Sequence, residues 1–279
     1  MTRIGLSMGY NNKNEIDVLL DEIYSIYGYD FRHYSRASLS RRIKGFMEES
    51  GYEALDVLQK EIIDNKTVFA SFLHSLSVTV TEFFRDPEVF HVIRNNIFEH
   101  LKTFPFIKIW HAGCATGEEV YSLAIMLFEE GLQDKVQVYA TDMNTESLRK
   151  AKEGIFPLSS IKSFSENYKI SGGDGGLSDY FDSNYDYARV KNELKKNITF
   201  ANHNLVTDSV FQEVHFILCR NVLIYFDRDL QNKVFTLIDR SLVKNGFLCL
   251  GTKESIRFSE IESRYEEIHR KEKIYRKKL

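Results

Sequence analysis

Cysteine is scarce in this chain. Cys114, Cys219 and Cys249 lie far apart and form no CxxC pair, which excludes a disulfide framework and a cysteine-based zinc site. Proline is scarcer, with three in 279 residues, so this is not a Pro-rich linker protein. The eight histidines are scattered, with no HExxH or similar pair, and no metal is expected. No apolar run approaches the roughly 18 residues of a membrane span. The opening MTRIGLSMGYNNKNE has no apolar core of a secretory leader, so the expected compartment is the cytoplasm, without membrane insertion. Neither sign of charge dominates: Lys plus Arg is 37, Asp plus Glu is 40 and the formal charge is -3. A general nucleic-acid binder shows a positive excess, so no nucleic-acid partner is expected. What is present is an ordinary globular composition, in a chain long enough to bury a large core unaided.

Residues 1–80 read as an all-α N-terminal domain. Ile16, Leu19, Leu20, Ile23 and Tyr27 recur at helical spacing. Leu39, Ile43, Phe46 and Met47 mark a second helix ending near Gly51. Leu55, Leu58 and Ile62 mark a third, and Val68, Phe72 and Leu76 a fourth. After Pro87 the pattern changes. A helix with Val89, Ile93, Ile97 and Leu101 leads into FIKIW, a strand, and helix and strand then alternate through residue 279. This predicts an α/β fold with a doubly wound sheet. DRDLQNKVFTLIDRSLVKNG (227–246) is expected to be one helix closed by Gly246, and the tail YEEIHRKEKIYRKKL two edge strands with solvated basic residues. Residues 155–197 interrupt the rhythm and predict a small β-subdomain of short antiparallel strands, with SGGDGG (171–176) as its tip.

Five motifs carry candidate chemistry. HAGCATGEE follows the strand ending at Trp110. Gly113 and Gly117 there bracket a turn whose backbone a ligand can approach, at a helix start with free amides. The spacing is neither GxGxxG nor GxxxxGK, so a dinucleotide fingerprint and a P-loop are disfavoured. The bland alternative is a plain strand-to-helix turn. Asp142, in YATDMN at the next strand end, can accept hydrogen bonds from ribose hydroxyls. Its alternative is a helix N-cap, a role open equally to Asn144 or Thr145. TEFFRD (81–86), HNL (203–205) and CRNVLIYF (219–226) add polar groups beside apolar ones. A lone arginine in such a setting is more often an ordinary surface charge.

TEFFR, AGCATGEEVYS, ATDMN, HNL and CRNVLIYF, in this order, resemble the CheR chemotaxis receptor methyltransferases over nearly the whole chain. The resemblance implies a methyltransferase sheet with S-adenosylmethionine as methyl donor and S-adenosylhomocysteine as product. It implies a monomeric enzyme whose acceptor is a glutamate in the cytoplasmic helical region of a chemoreceptor. By position it implies cofactor contacts from Thr79, Thr81, Arg85, Glu119, Asp142, Asn204, Leu205, Arg220 and Asn221, with Glu118 an open alternative to Glu119. Arg85 and Tyr225 fall where the family is thought to touch the acceptor and the transferring methyl. The family commonly has Asn at position 79, where this chain has Thr. Some members dock on a receptor tail through the β-subdomain.

Such a transfer is an in-line displacement at a sulfonium. A glutamate carboxylate, with a reference pKa of about 4.3, is already ionised at neutral pH and needs no general base. The expected protein contribution is orientation. Arg32, Arg36, Arg41, Arg42 and Lys44 form a basic segment with no acidic residue between Arg32 and Lys44. It is either a solvated helix face or a recognition surface for an acidic helical partner. The resemblance favours recognition, through Arg36, Arg41, Arg42 and Lys44. Two other readings stay open: a methyltransferase with a different acceptor, and a non-catalytic cofactor-binding adaptor.

Overall fold

The structure is a computed structural model that describes residues 13–76, 81–210 and 212–278. The chain divides into two compact units, Met1–Leu76 and Ser77–Leu279. Among the described residues no helix is long and apolar enough to cross a membrane.

The first unit is four helices: α1 (Lys13–Tyr27), α2 (Arg36–Ser50), α3 (Leu55–Asp64) and α4 (Lys66–Leu76). The residues at helical spacing make its core: Leu19, Leu20 and Ile23 of α1 are buried, as are Ile43, Leu58, Ile62 and Phe72. Each such side chain contributes about 1.5–3 kcal/mol of burial. Gly51, at φ 76, closes α2 and donates its N–H to Met47, a left-handed cap that glycine takes without a Cβ penalty. Tyr27 stacks on Phe69 at 3.7 Å and donates its hydroxyl to the Ile62 carbonyl at 2.7 Å.

The second unit opens with α5 (Pro87–Val92), which runs through a π turn (Ile93–Ile97) into α6 (Phe98–Leu101). Next come β1 (Ile107–Ala112), α7 (Glu118–Glu129), β2 (Val136–Asp142) and α8 (Thr145–Glu153). The inserted region holds β3 (Ile155–Pro157), α9 (Leu158–Ser163), α10 (Ser165–Ile170), β4 (Phe181–Asn184) and β5 (Tyr187–Val190), and is followed by α11 (Asn192–Lys195). The chain then returns to the large sheet through β6 (Ile198–Asn202), β7 (Val214–Cys219), α12 (Arg228–Ser241), β8 (Leu242–Leu250), β9 (Tyr265–His269) and β10 (Ile274–Lys277). The seven-stranded order is β6-β2-β1-β7-β8-β10-β9. The first five strands are parallel, and β10 and β9 join antiparallel. The chain winds outward from β1 through β2 to β6, then crosses back to place β7 on the other side of β1. That reversal opens a crevice at the carboxyl ends of β1 and β7, where doubly wound sheets bind ligands.

Four local expectations need correction. Residues 158–170 are helical, in two six-residue pieces whose buried anchors are Ile161 and Tyr168. SGGDGG is not the tip of the β-subdomain, because the β4–β5 turn falls at Tyr185 and Asp186. Gly173 within it lies against Tyr168 instead, where a Cβ would sit 2.2 Å from the ring. The helix α12 stops at Ser241, and Leu242–Leu250 pairs with β7. Gly246 serves that pairing: a Cβ there would meet the His215 carbonyl at 2.9 Å. Of the two final strands only β9 is an edge; β10 lies between β8 and β9.

Candidate active site

The carboxyl end of β1 delivers the glycine turn. Gly113 (φ 76), Ala115 (φ 47) and Gly117 (φ 94) all take left-handed backbone, which turns the chain sharply from strand to helix. Gly113 and Cys114 donate their N–H groups to the Thr141 carbonyl at 2.8 and 2.9 Å, which ties the turn to β2. A Cβ on Gly113 would sit 2.5 Å from Val222, and one on Gly117 would sit 2.9 Å from Ala151. The turn is thus pressed against the loop after β7 on one side and against α8 on the other.

Asp142 ends β2 and locks this turn. Its Oδ2 accepts the Ala115 N–H at 2.9 Å and its Oδ1 accepts the Asn144 N–H at 2.8 Å. Burial raises its pKa, and these amide bonds act against that shift. The cap of α8 is Asn144, which accepts the Glu146 and Ser147 N–H groups. Asp142 is therefore free of capping duty. Each of its oxygens keeps a further lone pair for a ligand donor.

Below the turn lies a buried charge network. Glu119, on the first turn of α7, contacts His111 Nε2 at 3.0 Å through one oxygen and accepts from Arg220 Nη1 through the other. Arg220 also donates to the Arg85 carbonyl at 3.1 Å and to Asp86 at 2.7 Å. Its side chain is fully buried. Burial acts to raise the Glu119 pKa, but the Arg220 charge, the His111 bond and the nearby Arg85 charge outweigh it and hold the carboxyl below its ordinary range. The network fixes the TEFFRD turn, where Phe84 (φ 53) and Asp86 (φ 54) are both left-handed. Phe83 and Phe84 anchor that turn in the core, and the Phe84 N–H donates to Ser122 of α7 at 2.9 Å. The half-buried Arg85 guanidinium donates to no described residue.

The loop after β7 carries Asn221 and Tyr225. Asn221 is left-handed, at φ 60. A buried carboxylate that the motifs did not mark, Glu254, holds this loop. It accepts the N–H groups of Asn221 (3.0 Å), Leu223 (2.7 Å), Ile224 (3.3 Å) and Gly251 (2.6 Å). Past β6, Asn204 accepts the Val206 N–H at 2.9 Å, and Leu205 is buried.

Arg85, Glu119 and Arg220 thus meet in one cluster, and Asp142 sits on the adjoining turn. Thr81, Asn204, Leu205, Asn221 and Tyr225 lie on loops at the same end of the sheet. Thr79 lies outside the described residues. Besides Glu254, the structure adds His111 and Asp86, which lie inside the motifs HAGCATGEE and TEFFRD but are given no role there; their partners are 8 and 134 residues away. Glu118, the open alternative, is half-buried beside Gly117 and accepts the Thr116 hydroxyl at 2.6 Å. Burial pushes its pKa up to about 7. Elsewhere, Arg36 pairs with Asp17 across α1 and α2. Arg42 donates to the Leu76 and Ser75 carbonyls at the end of α4, at 3.1 and 3.4 Å. Lys44 lies 3.7 Å from Glu48, and Arg41 is exposed.

The SAM-binding domain profile of the CheR methyltransferases matches residues 79–274, and the family's all-α domain profile matches residues 14–77. The chain is 44% identical, over 96% of its length and 98% of the other, to Cher3, a candidate methyltransferase of Pseudomonas putida. It is 30% identical, over 80% of its length and 77% of the other, to chemotaxis protein methyltransferase 2 of Pseudomonas aeruginosa. It is 28% identical, over 88% and 89%, to the chemotaxis protein methyltransferase of Borreliella burgdorferi. With its all-α domain, its largely parallel sheet and a polar cluster at the carboxyl ends of the strands, the chain belongs to the CheR family of S-adenosylmethionine-dependent methyltransferases.

Proposed function

We propose that this chain transfers the methyl group of S-adenosylmethionine to glutamate side chains in the helical cytoplasmic region of a chemoreceptor, forming methyl esters for sensory adaptation. The observation that carries the reading is the junction of Asp142 on its glycine turn with the Arg85–Glu119–Arg220 cluster. This donor and acceptor set fits the methyl donor end to end. Asp142 has acceptor capacity for a ribose diol, and Glu119 and Arg85 offer opposite charges to a zwitterionic amino-acid group. Thr79, Thr81, Asn204, Leu205, Arg220 and Asn221 complete the cofactor set. The donor supplies an electrophilic methyl on a sulfonium.

The protein's task is orientation. The acceptor carboxylate needs no base, and a strong ion pair to it would stabilise the ground state rather than the transition state. Arg85 and Tyr225 aim the reacting groups without exchanging protons. The basic face of α2 draws in an acidic receptor helix.

The test is incubation of the protein with labelled methyl donor and purified receptor cytoplasmic fragments, followed by alkaline release of methanol. Methyl esters are base-labile and N-methyl products are not. Release of labelled methanol, reduced in Arg85→Ala and Tyr225→Phe, is the expected result. Alkali-stable label, or none, would assign a different acceptor.

A further inference from the structure

Arg85 sits at the centre of a forced turn. The residues on both sides of it, Phe84 at φ 53 and Asp86 at φ 54, take left-handed backbone. That region is rare for a bulky side chain such as Phe84 and persists only where the surroundings hold it. The Arg85 guanidinium donates to no described residue, so its direction is set by the main chain beneath it.

Asp86 departs from the role its position offers. It is the N-cap residue of α5, just ahead of Pro87, and an aspartate there ordinarily accepts an amide of the first helical turn. Its side chain makes no such bond. The turn closes instead through the main chain, with the Val89 N–H donating to the Asp86 carbonyl at 2.9 Å. The carboxylate reaches Arg220, 134 residues away, and accepts from Nη2 at 2.7 Å. The same nitrogen donates to the Arg85 carbonyl at 3.1 Å. Arg220 is a fixed post for both. Its side chain is fully buried, its Nη1 is bonded to Glu119, and its Cζ lies 5.6 Å from the centre of the Phe90 ring. Glu119 already balances the charge of that guanidinium, so Asp86 is not required for neutrality. A local cap given up for a distant tie marks a residue that serves the site rather than the helix.

We propose that Asp86 is a positioning residue: by its bond to Arg220 it holds the turn that points the Arg85 guanidinium into the reaction site. The inference rests on the function proposed above, since it takes Arg85 to be a group that binds and orients the reactants.

The test uses the full chain, a labelled methyl donor and a purified receptor cytoplasmic fragment, at a temperature where every variant is folded. Asp86→Gly takes φ 54 without strain and removes the carboxylate. Asp86→Asn also tolerates that backbone and keeps an acceptor for Arg220. Asp86→Gly should lower kcat/KM by at least about tenfold, as a misplaced orienting group does, and Asp86→Asn should restore most of it. The decisive readout is the double-mutant cycle with Arg85→Ala. Adding Asp86→Gly to Arg85→Ala should cost nothing further, in kcat/KM or in calorimetric cofactor affinity, because the turn then has no guanidinium to aim. A merely structural ion pair gives losses that multiply. Multiplying losses overturn this inference, as does an unchanged kcat/KM in Asp86→Gly or a loss in Asp86→Asn as deep as in Asp86→Gly. A wild type that places no alkali-labile methyl on the fragment overturns the functional reading. The cofactor-affinity cycle needs no acceptor and then decides this inference alone, with unchanged affinity in Asp86→Gly or in Arg85→Ala overturning it.

Discussion

Asp142 holds two main-chain amides, Ala115 on one side and Asn144 on the other, and so shapes the glycine turn; the proposed function adds a second role, as acceptor for the cofactor's ribose. Asp142→Ala should weaken cofactor binding by roughly 2–3 kcal/mol for two lost ligand bonds, at about 1–1.5 kcal/mol each. Release of the Ala115 amide adds to this, so the measured loss should exceed that sum. Asp142→Asn, which keeps one acceptor, should fall between the two. Calorimetric titration with the methyl donor decides this, and unchanged affinity in folded Asp142→Ala would exclude the site. Glu118 carries a pH signature. Its carboxyl ordinarily titrates near 4.5, and burial raises it to about 7 in the folded chain. Below pH 4.5 both states hold the proton. Between 4.5 and 7 the unfolded state releases it while the folded state keeps it, so this group destabilises the fold as pH rises. Glu118→Gln should therefore gain stability over wild type progressively from about pH 4.5 to 7. Denaturant unfolding across that range measures the gap, and a pH-independent difference would refute the assignment. At this scale the sequence is most readable where a residue's partners are local. Gly113, Gly117 and Asp142 carry their roles in their spacing, whereas Asp86 meets Arg220 from 134 residues away, a contact no local pattern marks.

At the scale of elements, the loops after β7 and β8 behave as one unit because Glu254 joins them. Glu254→Ala would strand four main-chain N–H groups that now share one buried carboxylate. At about 1–3 kcal/mol for each buried donor left unpaired, and with water re-entering some of them, a net loss of at least about 2 kcal/mol is expected. In a unit of this size that lowers Tm by roughly 4–8 °C. Cofactor affinity should fall as well, because Asn221 loses its support. A variant with wild-type Tm in thermal melts would show that the loops hold without this carboxylate. The same interaction shows why part of the fold resists reading. Glu254 lies about 30 residues from the amides it binds, and main-chain amides leave no residue-type signature. The long elements are legible for the opposite reason: α1, α2 and the continuous helical stretch 87–101, from α5 through the π turn to α6, repeat their buried residues over several turns. The helices α9 and α10 have six residues each and too few turns to show a period. The helical pattern of α12 runs on in sequence past Ser241, yet pairing with β7 converts the continuation to strand, a tertiary effect that local pattern cannot register.

On the scale of the whole molecule, the proposed function assigns recognition of a partner and transfer of a methyl group to different parts of the chain, and the basic helix is where that assignment can be tested. The motif reading treats Arg36, Arg41, Arg42 and Lys44 as one charged face. In the folded unit they differ. Arg36 is paired with Asp17, and Arg42 caps the carbonyl end of α4. Reversing Arg42 would therefore injure the bundle and confound any loss of activity. Arg41 and Lys44 are exposed, and the Lys44–Glu48 pair at 3.7 Å is the kind that contributes a few tenths of a kcal/mol. They are the charges open to an acidic helix without cost to the fold. Arg41→Glu with Lys44→Glu should reduce receptor methylation at subsaturating receptor and leave cofactor affinity and Tm as they are. Each exposed pair is worth only about 0.2–1 kcal/mol, so the double variant should lose roughly two- to thirtyfold in kcat/KM. Because exposed charges are screened over about 8 Å at physiological salt, raising ionic strength should weaken the wild type and bring it towards the double variant. Methylation equal to wild type at every salt concentration would return α2 to a solvated face and leave recognition to the second unit.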